Sequence, residues 1–126
     1  MDTHDTAAII VKKDNKFLIS KRKNPPKKGM WGFPGGHKDK GETIKKCALR
    51  EASEEIGKVE IKQKLMTFTH DVEINHRHNC HVFTAKLKEK PKAKSDVSKI
   101  KWVTLEEMKD EKLMEWALYI INEKFF

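Results

Sequence analysis

Between Thr43 and Gly57 the chain sets its apolar residues at a spacing that a helix satisfies and a strand does not. At about 100° per residue, Ile44, Cys47 and Ala48 fall on one side, and Ala52 and Ile56 widen the stripe. The same projection places Glu51 and Glu55 inside that apolar arc and Glu54 at its edge, because residues three and four apart share a face. Carboxylates crowded against a core repel one another and lose hydration, which protons or cations must offset. A divalent cation satisfies that demand. The plainer alternative is a solvated acidic helix end, with Glu54 and Glu55 exposed and Glu51 paired to a neighbouring lysine or arginine.

The rest of the chain supplies a frame for such a helix. Ala7 to Val11 and Phe17 to Ile19 read as two strands joined by a turn, a hairpin that opens the domain. Residues 21–29 carry Pro25 and Pro26 among basic residues, and a proline removes a backbone donor, so this stretch is a loop. Gly32, Gly35 and Gly36 bracket Phe33 and Pro34, a spacing that permits sharp turns and close approach of main chain to a ligand or metal. Thr43 is placed to cap the helix that follows.

Val59 to Val72 and His76 to Leu87 read as longer strands, Lys88 to Ser98 as a lysine-rich connection, and Ile100 to Val103 as one more strand. Thr104 with Glu106 and Glu107 marks a helix start. Leu113, Trp116, Ala117, Ile120 and Ile121 then recur at helical spacing, so the chain is expected to end in an amphipathic helix. Strand pairs interleaved with helices favour an α/β fold in which helices pack on a sheet. With 126 residues, a single domain over residues 1–126 is expected.

Composition narrows the partners. The formal net charge of +8 favours phosphate-bearing molecules through long-range attraction. The excess is lysine spread from Lys12 to Lys124, the pattern of a solvated surface rather than a nucleic-acid footprint, and no zinc-finger or RNP-type signature accompanies it. No stretch approaches the roughly 20 apolar residues of a membrane span, and Met1 to Thr6 is polar, so a soluble cytoplasmic protein is expected, as monomer or homodimer. Cys47 and Cys80 stand without CxxC partners and read as free, partly buried thiols. His76, His78 and Cys80 alternate along one face of a strand, where a transition metal would find ligands if a further one were supplied; ordinary strand packing is the competing reading.

The segment Gly36, five residues, Glu42, seven residues, Arg50-Glu51-Ala52-Ser53-Glu54-Glu55-Ile56-Gly57 resembles the Nudix box at each of its fixed charged and glycine positions. Trp31-Gly32-Phe33-Pro34-Gly35-Gly36 is similar to the approach to such a box, and Lys101-Trp102-Val103 with Leu105-Glu106-Glu107-Met108 to the later strand and short helix. One departure is Lys58, where the family usually has an aliphatic residue; a local packing change is expected from it.

The resemblance implies the Nudix α/β/α sandwich, a mixed sheet flanked by helices, and hydrolysis of a pyrophosphate bond with Mg2+, or Mn2+ in its place. Glu54 and Glu55 are then metal ligands, and Glu51 is a third ligand or the base that activates water. The Gly36 carbonyl completes the set, Arg50 and Glu42 orient the carboxylates, and Asp96 is the positional candidate for a further acid from a later loop. Trp31, Phe33, Phe68 and Phe83 are candidates to stack a nucleobase. The approach to Trp31 looks most like the ADP-ribose pyrophosphatase branch. Val72, Glu73 and Ile74 stand where better characterised ADP-ribose enzymes carry a proline, which keeps nucleoside triphosphates, oxidised ones included, as the alternative. A non-catalytic nucleotide or RNA sensor of the same fold is a further reading, disfavoured by the intact set of glutamates.

Overall fold

The computed structural model describes residues 2–123, the side chain of Val72 excepted. Strand β1 (Asp2–Lys13) is followed by β2 (Lys16–Arg22), β3 (Trp31–Gly32), β4 (Gly35–His37), α1 (Ile44–Glu55), β5 (Val59–Glu73), β6 (His76–Leu87), β7 (Val97–Val103), α2 (Leu105–Met108) and α3 (Glu115–Glu123). The expected α/β/α arrangement is present: a mixed seven-stranded sheet among the described residues, with α1 on one face and α2 and α3 on the other.

The opening hairpin forms, but its strands soon part. β1 and β2 pair only at Lys12 with Phe17 and Lys13 with Lys16, around Asp14 at a positive φ of 57°. The body of β1 runs parallel to β6, from Asp2 beside His76 to Val11 beside Ala85, and its other edge takes β4 from Thr6 to Ala8. β2 turns to β7 and β3 instead. The cause lies in Ala7 to Val11, five consecutive buried residues. A run apolar on both sides belongs between two layers rather than in a two-stranded ribbon.

Alternate residues of β1 feed two cores. Ala7, Ile9 and Val11 meet Cys47, Ala48, Ala52 and Ile56 of the α1 segment, with Phe83 and Ala85 from β6. Ala8 and Ile10 face Phe33, Val82, Met108, Ala117, Ile120 and Ile121. Cys47 and Cys80 therefore sit on opposite faces of the sheet, both reduced and fully buried rather than partly so.

Helix α1 begins and ends where its chemistry dictates. The Thr43 side chain accepts from the Lys46 amide at 3.2 Å, and the Gly57 amide closes on the Ala52 carbonyl at 2.9 Å from a φ of +133° that favours glycine. The single C-terminal helix expected from the spacing is instead two, the first being the short helix that the resemblance placed at Leu105 to Met108. Thr104 and Glu107 form a capping box for α2, and the chain then leaves the helix. Trp31 donates its amide to the Lys112 carbonyl at 2.8 Å and accepts from the Met114 amide at 2.9 Å, so that backbone serves the sheet edge before α3 starts. The last turn anticipated at residues 124–126 lies outside the described residues. No described helix is long and apolar enough to cross a membrane.

Ile120 is fully buried and the neighbouring Leu118 is 40% exposed. Ile120→Ala is expected to cost about 2–5 kcal/mol, as removal of a buried side chain leaves a cavity. Leu118→Ala should stay within about 0.5 kcal/mol. Urea unfolding of the two variants checks the assignment of this helix face, and equal losses would contradict it.

Candidate active site

Strand β4 is short and pairs with β1, and its glycines make room for α1 to reach past it. A Cβ on Gly35 would collide with the Ala7 carbonyl, and one on Gly36 would occupy the space of the Glu51 carboxylate. The Gly35 amide donates to Glu55 Oε1 at 3.0 Å. The Cys47 thiol, 3.7 Å from the Gly36 carbonyl oxygen, fixes that carbonyl from the helix side. Burial pushes the Cys47 thiol up to about 12, so it remains a proton donor there.

The carboxylates divide by environment. Glu55 is driven by burial to a pKa of about 8, against the opposing bond from Gly35 and with added repulsion from Glu51 and Asp96. Glu51, 13% exposed in its side chain, is also raised, first by burial and then by the charges of Glu54 and Asp96, while Arg50 acts the other way. Glu54 is half exposed. Asp96 lies in the exposed loop before Val97, its Oδ1 accepting from the Ser95 hydroxyl at 3.1 Å. Glu51, Glu54, Glu55 and Asp96 thus share one field of negative charge, drawn from one helix and a loop 41 residues beyond Glu55 in sequence.

One guanidinium ties the helix side of this field together. Arg50 Nε donates to Glu42 Oε2 at 2.7 Å and Nη2 to Glu42 Oε1 at 3.0 Å, a bidentate pair. Nη1 reaches Glu51 at 2.9 Å and both Glu54 oxygens at 3.3 Å, and Nη2 also donates to the His37 carbonyl at 2.9 Å. Glu42, bonded to Arg50 and to the Asp39 amide, is held down to about 2, an anion throughout the working range. The pairing of Glu51 with an arginine, one element of the plainer reading, therefore exists, yet Glu51 and Glu55 are not dispersed into solvent.

A cavity of about 470 Å³ opens beside the carboxylates, its lining including Gly35, Gly36, Glu55 and Asp96 together with His37, His70, His78 and Cys80. Phe33 and Trp116, ring centroids 6.4 Å apart, form part of its apolar wall, and Arg22 from the end of β2 and Lys27 from the proline loop reach it. Of the aromatic candidates Phe33 alone lines it. Trp31 is buried in the core with Lys101 Nζ 4.5 Å from its ring centre, Phe83 lies in the cluster under α1, and Phe68 stacks on Tyr119 at 4.2 Å. These three occupy packing positions away from the cavity. As cavity residues, Arg22, Lys27, His37, His70 and Trp116 carry no distinguishing mark in the sequence. The alternation Phe68, His70 along β5 would have placed His70 beside the other histidines once β5 was paired to β6.

Comparison with known proteins agrees with this geometry. The sequence profile of the NUDIX domain matches residues 2–123. The chain belongs to the NUDIX family. An ADP-ribose pyrophosphatase of Methanocaldococcus jannaschii is 46% identical over 56 residues, 43% of this chain and 33% of that protein. A putative 8-oxo-dGTP diphosphatase of Bacillus subtilis is 37% identical over 57 residues, 45% of this chain and 36% of that protein. The matched stretch thus spans about a third of the length of these curated relatives. The fold is shared with a MutT NUDIX hydrolase from Burkholderia pseudomallei at a TM-score of 0.82 and 22% identity, over 98% of this chain and 99% of that one.

The raised pKa of Glu55 links to stability. Its folded form holds a proton more tightly than the unfolded chain, whose value is near 4.5, so this contribution is complete below that pH and is lost as pH rises through about 8. In chelator, the protein is expected to weaken between about pH 5 and pH 8 on this account, and Glu55→Gln to flatten that part of the profile. Urea midpoints across the range test it; an unchanged slope in the variant would refute the burial of this carboxyl.

Proposed function

We propose that the chain is a divalent-cation-dependent pyrophosphohydrolase acting on a nucleoside diphosphate derivative, with an ADP-ribose-like sugar nucleotide as the favoured substrate. The observation that carries this reading is the placement of Glu51 and Glu55 against β4, where burial raises the pKa of both and takes Glu55 to about 8. A hard cation fits that donor set, because Mg2+ and Mn2+ take oxygen ligands and retain positions that phosphate oxygens can enter. Glu54, Glu55 and the Gly36 carbonyl are the groups to hold it, with Asp96 as the acid from the later loop. When bound, the cation neutralises charge on the bridging and terminal phosphoryl oxygens.

The chain's own residues supply the remainder. Glu51, anchored by Arg50 through Oε1, takes a proton from the attacking water; its raised pKa brings it nearer the operating pH that suits a general base. Arg50 and Glu42 act by fixing those carboxylates. Arg22 and Lys27 bring positive charge to the cavity for the pyrophosphate, and Phe33 with Trp116 offers an apolar wall for a base. The matched ADP-ribose pyrophosphatase supports the sugar-nucleotide reading. The relative named as a putative 8-oxo-dGTP diphosphatase supports a second one, a nucleoside triphosphate cut to monophosphate and pyrophosphate.

Incubation with a nucleotide panel and Mg2+ separates the two: AMP with ribose 5-phosphate from ADP-ribose favours the first, and pyrophosphate from a triphosphate the second. No hydrolysis of any member would overturn both. Glu54→Gln is expected to lower turnover by at least about 10²-fold, more than loss of a supporting group does, while the circular dichroism spectrum stays unchanged. Full activity of that variant at saturating Mg2+ would remove Glu54 from the ligand set.

A further inference from the structure

Beyond the carboxylates, the open end of β1 and β6 gathers imidazoles that pyrophosphate hydrolysis does not use. The parallel register sets Asp2 beside His76 and His4 beside His78. Residues two apart in a strand share a face, so all four side chains stand on the same side of the sheet. His4 and His76 ring centres are 4.9 Å apart. Asp2 Oδ2 lies 2.9 Å from His4 Nε2 and 3.5 Å from His76 Nδ1, and the three atoms fall within 4.8 Å of one another.

We propose that Asp2, His4 and His76 form a second metal site, selective for a borderline transition cation such as Zn2+ over Mg2+. Donors about 2.0–2.1 Å from zinc in a tetrahedron stand about 3.3–3.4 Å from each other, so the observed spacings bracket what the ion requires. Small side-chain rotations suffice to close the set. Two imidazoles and one carboxylate leave a position for water, and their nitrogen content disfavours magnesium. Asp2 and His4 are exposed and His76 half-buried, so an ion has access.

The neighbouring ring supports this arrangement. His78 Nε2 lies 3.1 Å from His76 Nε2 and 3.2 Å from His37 Nε2. With His78 Nε2 as acceptor, His76 carries its proton on Nε2 and turns the lone pair of Nδ1 toward Asp2 and His4. A metal-ligating histidine is commonly held by a bond to its other ring nitrogen in this way. His78 is thus a positioning residue. The ligand missing from the alternation His76, His78, Cys80 comes from β1, while Cys80 is buried deeper along β6 and takes no part. The site stands independently of the pyrophosphohydrolase reading.

Protein purified without a polyhistidine tag and titrated calorimetrically with Zn2+ in excess Mg2+ is expected to take up one equivalent. The uptake should persist in Glu54→Gln and weaken at least about 10²-fold in both His4→Ala and His76→Ala, with His78→Ala weakening it about 10–100-fold. Co2+ in place of Zn2+ should give the visible absorption of a nitrogen-ligated ion in the parent protein and lose it in the two ligand variants. Circular dichroism establishes that the variants fold. Retained Zn2+ uptake in His4→Ala and His76→Ala, or uptake that vanishes in Glu54→Gln instead, would overturn the assignment, as would no uptake by the parent protein.

Discussion

The Arg50 guanidinium is the contact on which the arrangement of the acidic helix depends. It meets Glu42, Glu51 and Glu54 together, and a fourth contact to the His37 carbonyl pins the group to the end of β4. Without a cation there, three carboxylates would repel one another next to a buried helix face, and the largely buried Glu51 would carry a heavy desolvation cost. Because the fork is planar and bidentate toward Glu42, it sets direction as well as charge, which a lysine at the same position would not do. The loop from Lys38 to Thr43 is thereby tied to α1, through Glu42 accepting from Arg50 on one side and from the Asp39 amide on the other.

That tie matters because α1 and the cavity lie on different sides of the sheet. Cys47, Ala48 and Ala52 pack on the face fed by Ala7, Ile9 and Val11, whereas Phe33, Cys80 and Trp116 belong to the opposite one. Only where the sheet is bounded by a strand of three residues without side chains at two of them can carboxylates pass from one face to the other. Gly35 contributes its amide and Gly36 the space, so the glycines do chemical as well as steric service. The cost is a strand with little packing of its own, held by its pairing to β1 and by the bond from the Ile9 amide to the Pro34 carbonyl at 2.8 Å.

Much of this was legible in the residues. The apolar arc of α1, its Thr43 cap and its glycine stop follow from local rules, and each is found where those rules put it. The α/β layering followed from element order. What escaped was decided by contacts distant in sequence. The separation of β1 from β2 depends on β6, whose paired residues lie 74 positions further on, and the break between α2 and α3 depends on Trp31 claiming the backbone around Lys112 and Met114. Aromatic residues gave little guidance, since Trp31 and Phe68 enter the same core as Phe33 and Phe83 enters the other, yet of the four Phe33 alone borders the cavity. Likewise the proline loop announced many cations, and only the fold shows that Arg22 and Lys27 are the ones turned to the cavity.

Strand β1 also separates two kinds of donor. Its residues Thr6 to Ala8 carry β4 and hence the carboxylates, and Asp2 to His4 carry the imidazoles. His37 joins the two groups: its carbonyl accepts from Arg50 at 2.9 Å, and its ring Nε2 stands 3.2 Å from His78 Nε2. Movement of that one residue would be felt at both Arg50 and His78, and its backbone is fixed by Thr6 opposite it in the sheet.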